Sequence, residues 1–309
     1  MNPYKEFQLR VVSIYVEHPD VTEIWNLLDG RRMYRRLNFE AGGNDTPINL
    51  FIKGKSRVGK TQMMKRYVTL NKKYEALEKD EYGREVKVDV VPVVYVKLPS
   101  IFTPSGFYLK LLAGLGAPTI TGKIDELQER VYHLIRKQKV EMIILDEMDY
   151  ILSVRYISKK QSMELVKDLT NSTDVAIVCV GTPDTEELRS LNSQLCGRFA
   201  PRTIDYFQEC DERFYTVLEL IDKQLGVEKY FCLSDRNSKL GIILHHLSYG
   251  LVGWLVPILN EAFRLIGVFD PGFNNLKILE NIDAEILMKA QQNIIGDMDD
   301  KKIKEQLLN

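Results

Sequence analysis

Gly54-Lys55-Ser56-Arg57-Val58-Gly59-Lys60-Thr61 fits the G-x-x-x-x-G-K-[ST] pattern of a phosphate-binding loop, and its flanks supply the setting that the pattern needs. Ile48-Asn49-Leu50-Phe51-Ile52 reads as a buried strand, and Gln62-Met63-Met64-Lys65-Arg66-Tyr67-Val68 as the start of a helix. In a strand–loop–helix, glycines let backbone N–H groups converge on phosphate oxygens, and the helix N-terminus adds its partial positive charge. Lys60 is placed to reach the β- and γ-phosphates, and the Thr61 hydroxyl to ligate Mg²⁺. The pattern predicts a nucleoside triphosphate held by Gly54, Ser56, Arg57, Val58, Gly59, Lys60, Thr61 and Gln62, with Asp146 as a further contact.

The surrounding sequence is a series of buried strands alternating with helices. Val88 to Val96 is a β-branched run read as the second strand, and the charged stretch Asn71 to Lys87 before it as helix end and exposed connection. Val140 to Leu145 reads as the third, buried strand and Val175 to Val180, almost continuously apolar, as the fourth; Thr203 to Phe207 is read as the fifth. Helices are expected over Gly106–Leu115, Ile124–Lys137 and Lys160–Asn171. Strands buried on both faces and alternating with helices predict an α/β fold, a three-layer core around a mainly parallel five-stranded sheet. From Glu212 the pattern becomes helical throughout: Phe214–Gln224, Asn237–Ser248, Gly253–Leu265 and Ala284–Ile295. The expected organisation is therefore an N-terminal helical segment (1–45), an α/β core (46–208), a helical domain (209–296) and a polar tail (297–309).

Composition bounds the function classes. At 309 residues, 45% hydrophobic and 28% charged, the chain reads as a soluble globular protein, with no apolar run long enough for a bilayer and no signal-peptide core at its start. Cys179, Cys196, Cys210 and Cys232 are widely spaced and the histidines number four, so a zinc site has little support. Reduced, mostly buried thiols in a cytoplasmic protein are expected. A net charge of −1 argues against a globally basic nucleic-acid binder but leaves room for local basic patches.

Asp146-Glu147 follows the third strand directly. A carboxylate at a strand's C-terminal edge beside a phosphate loop can hold Mg²⁺ through its waters, and the next can orient the attacking water. Asp149 reads as a surface or capping residue. Thr182, ending the fourth strand in Gly181-Thr182, is the candidate γ-phosphate sensor, against the alternative of an ordinary turn residue. Arg198 is either a finger reaching a neighbouring subunit's nucleotide or a surface arginine, and sequence leaves the two even.

Taken together, these residues resemble the AAA+ branch of the P-loop NTPases, and more narrowly the TniB/TnsC group of transposition regulators. The matching stretches are Leu28-Asp29-Gly30-Arg31-Arg32, Ser56 to Thr61, Val91-Pro92-Val93-Val94-Tyr95-Val96, Val140 to Asp149, Val180-Gly181-Thr182 and Arg198-Phe199. The resemblance implies an AAA+ core with a C-terminal helical lid. It also implies an ATPase that assembles as rings or helical filaments on duplex DNA and recruits a DDE transposase. A TniQ-type target-selection adaptor is the further implied partner, with hydrolysis driving disassembly. One departure stands out: related proteins usually carry arginine in a Gly-x-x-Gly-Arg-Leu context, whereas this chain has Gly250-Leu251-Val252-Gly253-Trp254-Leu255. Arg264, ten residues on, would be about 15 Å away along a helix, too far to substitute. Slow hydrolysis, or weak coupling of lid closure to nucleotide, is expected.

In that group the segments after the second strand face DNA. Lys123 and Thr121 are the first candidates here for sequence-independent backbone contacts, followed by Ser105 and Lys110. The basic cluster Arg31, Arg32, Arg35 and Arg36 could serve nucleotide, a neighbouring subunit or DNA. The competing readings are a helicase loader of the IstB/DnaC kind and a nucleotide-gated switch with little hydrolysis.

Overall fold

The computed structural model describes residues 2–16, 19–43, 48–79, 82–118 and 121–296; the expected tail at 297–309 and Thr119 of the loop before Lys123 lie outside them. The chain opens on α1 (Pro3–Val12) and α2 (Pro19–Glu40), then β1 (Asn49–Lys53) and α3 (Lys60–Leu70). A hairpin follows, β2 (Tyr74–Lys79) with β3 (Glu85–Val90), and then β4 (Val93–Lys97), α4 (Pro104–Gly114) and α5 (Ile124–Lys137). Next come β5 (Met142–Asp146), α6 (Asp149–Leu152), α7 (Lys159–Thr173), β6 (Ala176–Gly181), α8 (Glu186–Arg189), α9 (Ser193–Arg198) and β7 (Phe199–Thr203). The C-terminal helices are α10 (Glu212–Leu225), α11 (Leu240–Ser248), α12 (Val252–Leu265) and α13 (Ala284–Ile295).

The described residues fall into two compact units. The larger, residues 23–54 and 60–204, is built on a five-stranded sheet in the order β4-β5-β6-β1-β7, every pairing parallel. Phe51, Ile143, Leu145, Ile177 and Cys179 point to one face, in a single core cluster with Leu111 of α4, Val131 of α5 and Val166 of α7. The alternate residues Leu50, Ile52, Ile144, Val178 and Val180 are equally buried, so both faces are covered and three layers result.

Three details differ from expectation. Val88 to Val96 is not one strand: Pro92 has no N–H, and the chain breaks there into the hairpin strand β3 and the core strand β4. The charged stretch before it is an antiparallel hairpin, Tyr74 opposite Val90 to Lys79 opposite Glu85, with mostly solvated side chains. The fifth strand lies at Phe199–Thr203, earlier than read. Pro201 sits within it, tolerated because β7 pairs with β1 alone and is an edge.

The Arg31–Arg36 cluster is largely engaged inside this unit. Arg32, 6% exposed, donates to Glu141 (2.8 Å), Asp29 (3.2 Å), Tyr67 (3.1 Å) and Asn71. Burial lowers the guanidinium pKa, yet the bonds to Tyr67 and Glu141 outweigh it and the net shift is upward. Arg36 pairs with the other Glu141 oxygen at 2.7 Å, and Arg35 donates to the Asp174 and Thr173 carbonyls just past and at the end of α7.

The smaller unit comprises the described parts of residues 1–22, 55–59 and 205–309. Phe7 of α1, fully buried, meets Phe263 of α12 edge-on at 5.9 Å. Gln224 of α10 exchanges two hydrogen bonds with the Tyr15 backbone (3.0 and 2.8 Å), and Gln8 donates to the Val268 carbonyl (2.7 Å). Asp211 caps α10 by accepting from Arg213 and Phe214 N–H, and Gly226 ends that helix left-handed. Among the described residues no helix is long and apolar enough to cross a membrane. Of the four free cysteines Cys179 alone is buried and Cys196 is exposed, correcting the expectation of mostly buried thiols.

Candidate nucleotide-binding site

Because all five strands run parallel, the C-terminal ends of β1, β4, β5 and β6 share one edge of the sheet, the usual place for a ligand in such folds. Gly54 leaves β1 there, its N–H donating to the Gly181 carbonyl at the end of β6 (3.2 Å) and its carbonyl accepting from Lys60 Nζ. Burial lowers the Lys60 pKa, and Asp149, Asp146 and Glu147 act against it in that order, so three carboxylates lie within electrostatic reach of this ammonium.

Thr61 Oγ1 donates to Asp146 Oδ2 at 2.7 Å across 85 residues of sequence. The hydroxyl and carboxylate expected to share Mg²⁺ are thus already in contact, and Asp146 is 3% exposed. This donor set fits the ion: Mg²⁺ keeps several waters and takes few protein oxygens beside those of phosphate. Among the described residues no group of three or more His, Cys, Asp or Glu offers a metal cage.

Two site residues are visible in the structure alone. Tyr95 of β4 donates its hydroxyl to Asp146 Oδ2 at 2.7 Å; burial first, then that bond, raises the phenol's pKa. Asp149, read as surface or cap, instead accepts the Thr182 N–H on both oxygens (3.2 Å each) and the Thr182 hydroxyl. The candidate sensor is therefore anchored to the first residue of α6. Tyr95 and Asp149 both lie in stretches that carry the family resemblance, but what a tyrosine two residues before a strand end and an acid three residues after Asp146 touch cannot be read until β4, β5 and β6 are side by side.

Glu147 follows β5 with a left-handed backbone, φ 62°, and its carboxylate lies 3.4 Å from Lys97 Nζ. Both side chains are well exposed, so the pair is weak and easily parted. Arg198, at the end of α9, is exposed and donates to Asn171. In the loop itself Arg57 and Gly59 are both left-handed (φ 68° and 98°), Val58 is buried, and Ser56 and Gln62 are exposed. Gly59 permits its conformation without cost; Arg57 adopts it under strain.

The family model for bacterial TniB protein matches residues 16–209, more than half of the chain and every one of these residues. The chain belongs to the TniB family. Solved structures add the fold at larger scale. The ORC2 protein of Aeropyrum pernix, in ADPNP and ADP complexes, aligns with a TM-score of 0.60 at 12% identity, over 96% of this chain and 73% of that one. The ORC1 protein of the same organism, solved in complex with DNA, aligns at 0.56 and 14% identity, over 92% and 67%. Cdc6p from Pyrobaculum aerophilum gives 0.56 and 14%, over 83% and 65%. No curated protein matches the chain by sequence. This TniB-family chain thus has the AAA+ fold of P-loop NTPases, with helices throughout its C-terminal region.

The DNA candidates of this TniB chain lie on α4 and just before α5, two helices that pack together. Lys110 and Ser105 are on α4, exposed and half-buried. Thr121 and Lys123 are exposed at the entry to α5, where the Lys123 N–H donates to Glu126 at 3.1 Å. Asp125 and Glu126 in the first turn of α5 offset the Lys123 charge locally.

Proposed function

We propose that this chain is an ATP-dependent regulator of DNA transposition that oligomerises on duplex DNA, marks a target site and recruits a DDE transposase. The observation that carries the nucleotide half of the reading is the Thr61–Asp146 contact. It joins the last residue of the phosphate-loop motif to the carboxylate that ends β5, which supports reading them as the two halves of a nucleotide–Mg²⁺ site. The transposition half rests on membership of the TniB family. Residues 46–208 carry the nucleotide and residues 209–296 act as lid.

In this reading Lys60 neutralises β- and γ-phosphate charge, and the loop's N–H groups cradle the phosphates. Thr61 and Asp146, the latter fixed by the Tyr95 hydroxyl, would hold Mg²⁺, which would supply charge stabilisation to the phosphates. Glu147, released from Lys97, orients the water whose oxygen bonds to the γ-phosphorus as the bond to ADP breaks. Thr182 hydrogen-bonds the γ-phosphate from its anchor on Asp149, and Arg198 reaches a neighbouring subunit's nucleotide. Ser105, Lys110, Thr121 and Lys123 follow the DNA backbone, and a TniQ-type adaptor is the second protein partner.

Electron microscopy of the protein with duplex DNA and a non-hydrolysable ATP analogue tests the reading, with Lys60→Ala as control. Filaments or stacked rings that require nucleotide and vanish in the variant are expected. Isolated oligomers on single strands would point to helicase loading, and assembly indifferent to DNA to a nucleotide switch; either result rejects the transposition reading.

A further inference from the structure

Two consecutive residues of α12, Gly253 and Trp254, touch the phosphate loop within the smaller unit, and Val252 before them faces it. Gly253 N–H donates to the Arg57 carbonyl at 2.7 Å. A Cβ at Gly253 would lie 2.7 Å from that oxygen and 2.9 Å from the Arg57 Cβ, so the approach admits no side chain. Val252 Cγ1 lies 4.0 Å from where a Cβ on Gly59 would be. The Arg57 guanidinium carbon stands 4.9 Å from the centroid of the Trp254 ring. Trp254 is itself 4% exposed and braced edge-on by Tyr249 at 6.3 Å.

The approach falls on a strained residue. Arg57 holds a left-handed backbone that a side chain disfavours, and such a turn persists when its surroundings over-determine it. Here the surroundings are a hydrogen bond from Gly253 and an aromatic face that attracts a cation. A second cation at position 254 would set two like charges against each other at this spot; tryptophan makes the same approach attractive.

We propose that Trp254 is a positioning residue that clamps Arg57 and holds the phosphate loop in the turn that accepts a triphosphate, so that α12 responds to occupancy of the loop. Trp254 then acts through the loop rather than on the γ-phosphate. The proposal rests on the reading that this loop binds ATP, and the experiment separates the two.

Trp25 and Trp254 are the two tryptophans of the chain, so Trp25→Phe leaves Trp254 as the sole indole fluorophore. In that background ATP is titrated while indole emission is recorded, and affinity is measured separately by calorimetry. A saturable emission change is expected, and Arg57→Ala should remove it. Trp254→Ala and Arg57→Ala should each weaken ATP binding roughly three- to tenfold, with Trp254→Phe recovering most of the loss. Arg57 is exposed, so its variant tests the clamp even if Trp254→Ala fails to fold. ATP bound by calorimetry with unchanged emission and unchanged affinity in both variants would overturn the clamp and leave the nucleotide site standing. No ATP binding by the parent protein would overturn both.

Discussion

At Glu147 a carboxylate is held in a backbone conformation that costs of order 1 kcal/mol or more, immediately after the last residue of β5. Strain of this kind is retained where a side chain must point in a particular direction, here toward Lys97 and the shared strand edge. Glu147→Gln keeps size and shape and removes the charge. ATP affinity should stay within about twofold, while turnover falls on the order of a hundredfold or more, since the lost step is orientation of the attacking water. Steady-state phosphate release alongside equilibrium nucleotide binding checks both halves, and turnover at the parental rate would remove Glu147 from the mechanism. Asp149 is the complementary case. Its role depends on the Thr182 N–H arriving from β6, a partner 33 residues away, so its local sequence reads as a mere cap.

At the scale of elements, two ion pairs tie helices to the sheet and differ in kind. Arg32 of α2 and Glu141 before β5 are both buried, and removing one member leaves the other without full compensation. Arg32→Ala should destabilise the chain by about 3 kcal/mol, tempered because Arg36 still reaches Glu141, and a lower denaturation midpoint in urea at unchanged slope would show it. Lys53 at the end of β1 meets Glu186 of α8, which Arg189 also holds. The Arg189 hydrogen bond foremost, then Lys53, depresses the Glu186 carboxyl from an ordinary 4.5 to about 2. Stability from this group is complete above pH 4.5 and is lost as pH falls through about 2. Glu186→Gln should remove that part of the acid limb, read from thermal midpoints across the window. The parallel sheet was legible because its central strands β1, β5 and β6 are mostly apolar and buried on both faces, and the phosphate loop because its glycines and Lys60 sit at fixed spacing. The β2–β3 hairpin was not. Its side chains are mostly solvated, so charge masks the alternation that marks a half-buried strand. The edge strand β7 was hidden likewise, by a proline that an interior strand would reject.

For the whole molecule, a net charge of −1 gives DNA no bulk electrostatic attraction, so the duplex binding proposed above would have to come from local groups multiplied by assembly. A filament repeats each interaction once per subunit, and one too weak to matter in a single chain acts many times along the duplex. Lys123 is exposed, yet it stands beside Asp125 and Glu126, which reduce its pull on a phosphate. Each neutralised phosphate releases close to one counterion, so a lysine that touches the backbone declares itself in the salt dependence more clearly than in affinity at one salt concentration. Lys123→Ala should weaken binding by about the same factor on any duplex sequence. The slope of log affinity against log salt should fall by roughly 1 for each phosphate left without its lysine, whereas ATP affinity stays unchanged. Anisotropy titrations on two unrelated duplexes, from about 50 to about 200 mM salt in the presence of an ATP analogue, measure it. An unchanged slope would move the DNA-facing surface away from the start of α5, with Lys110 of α4 the next position to remove.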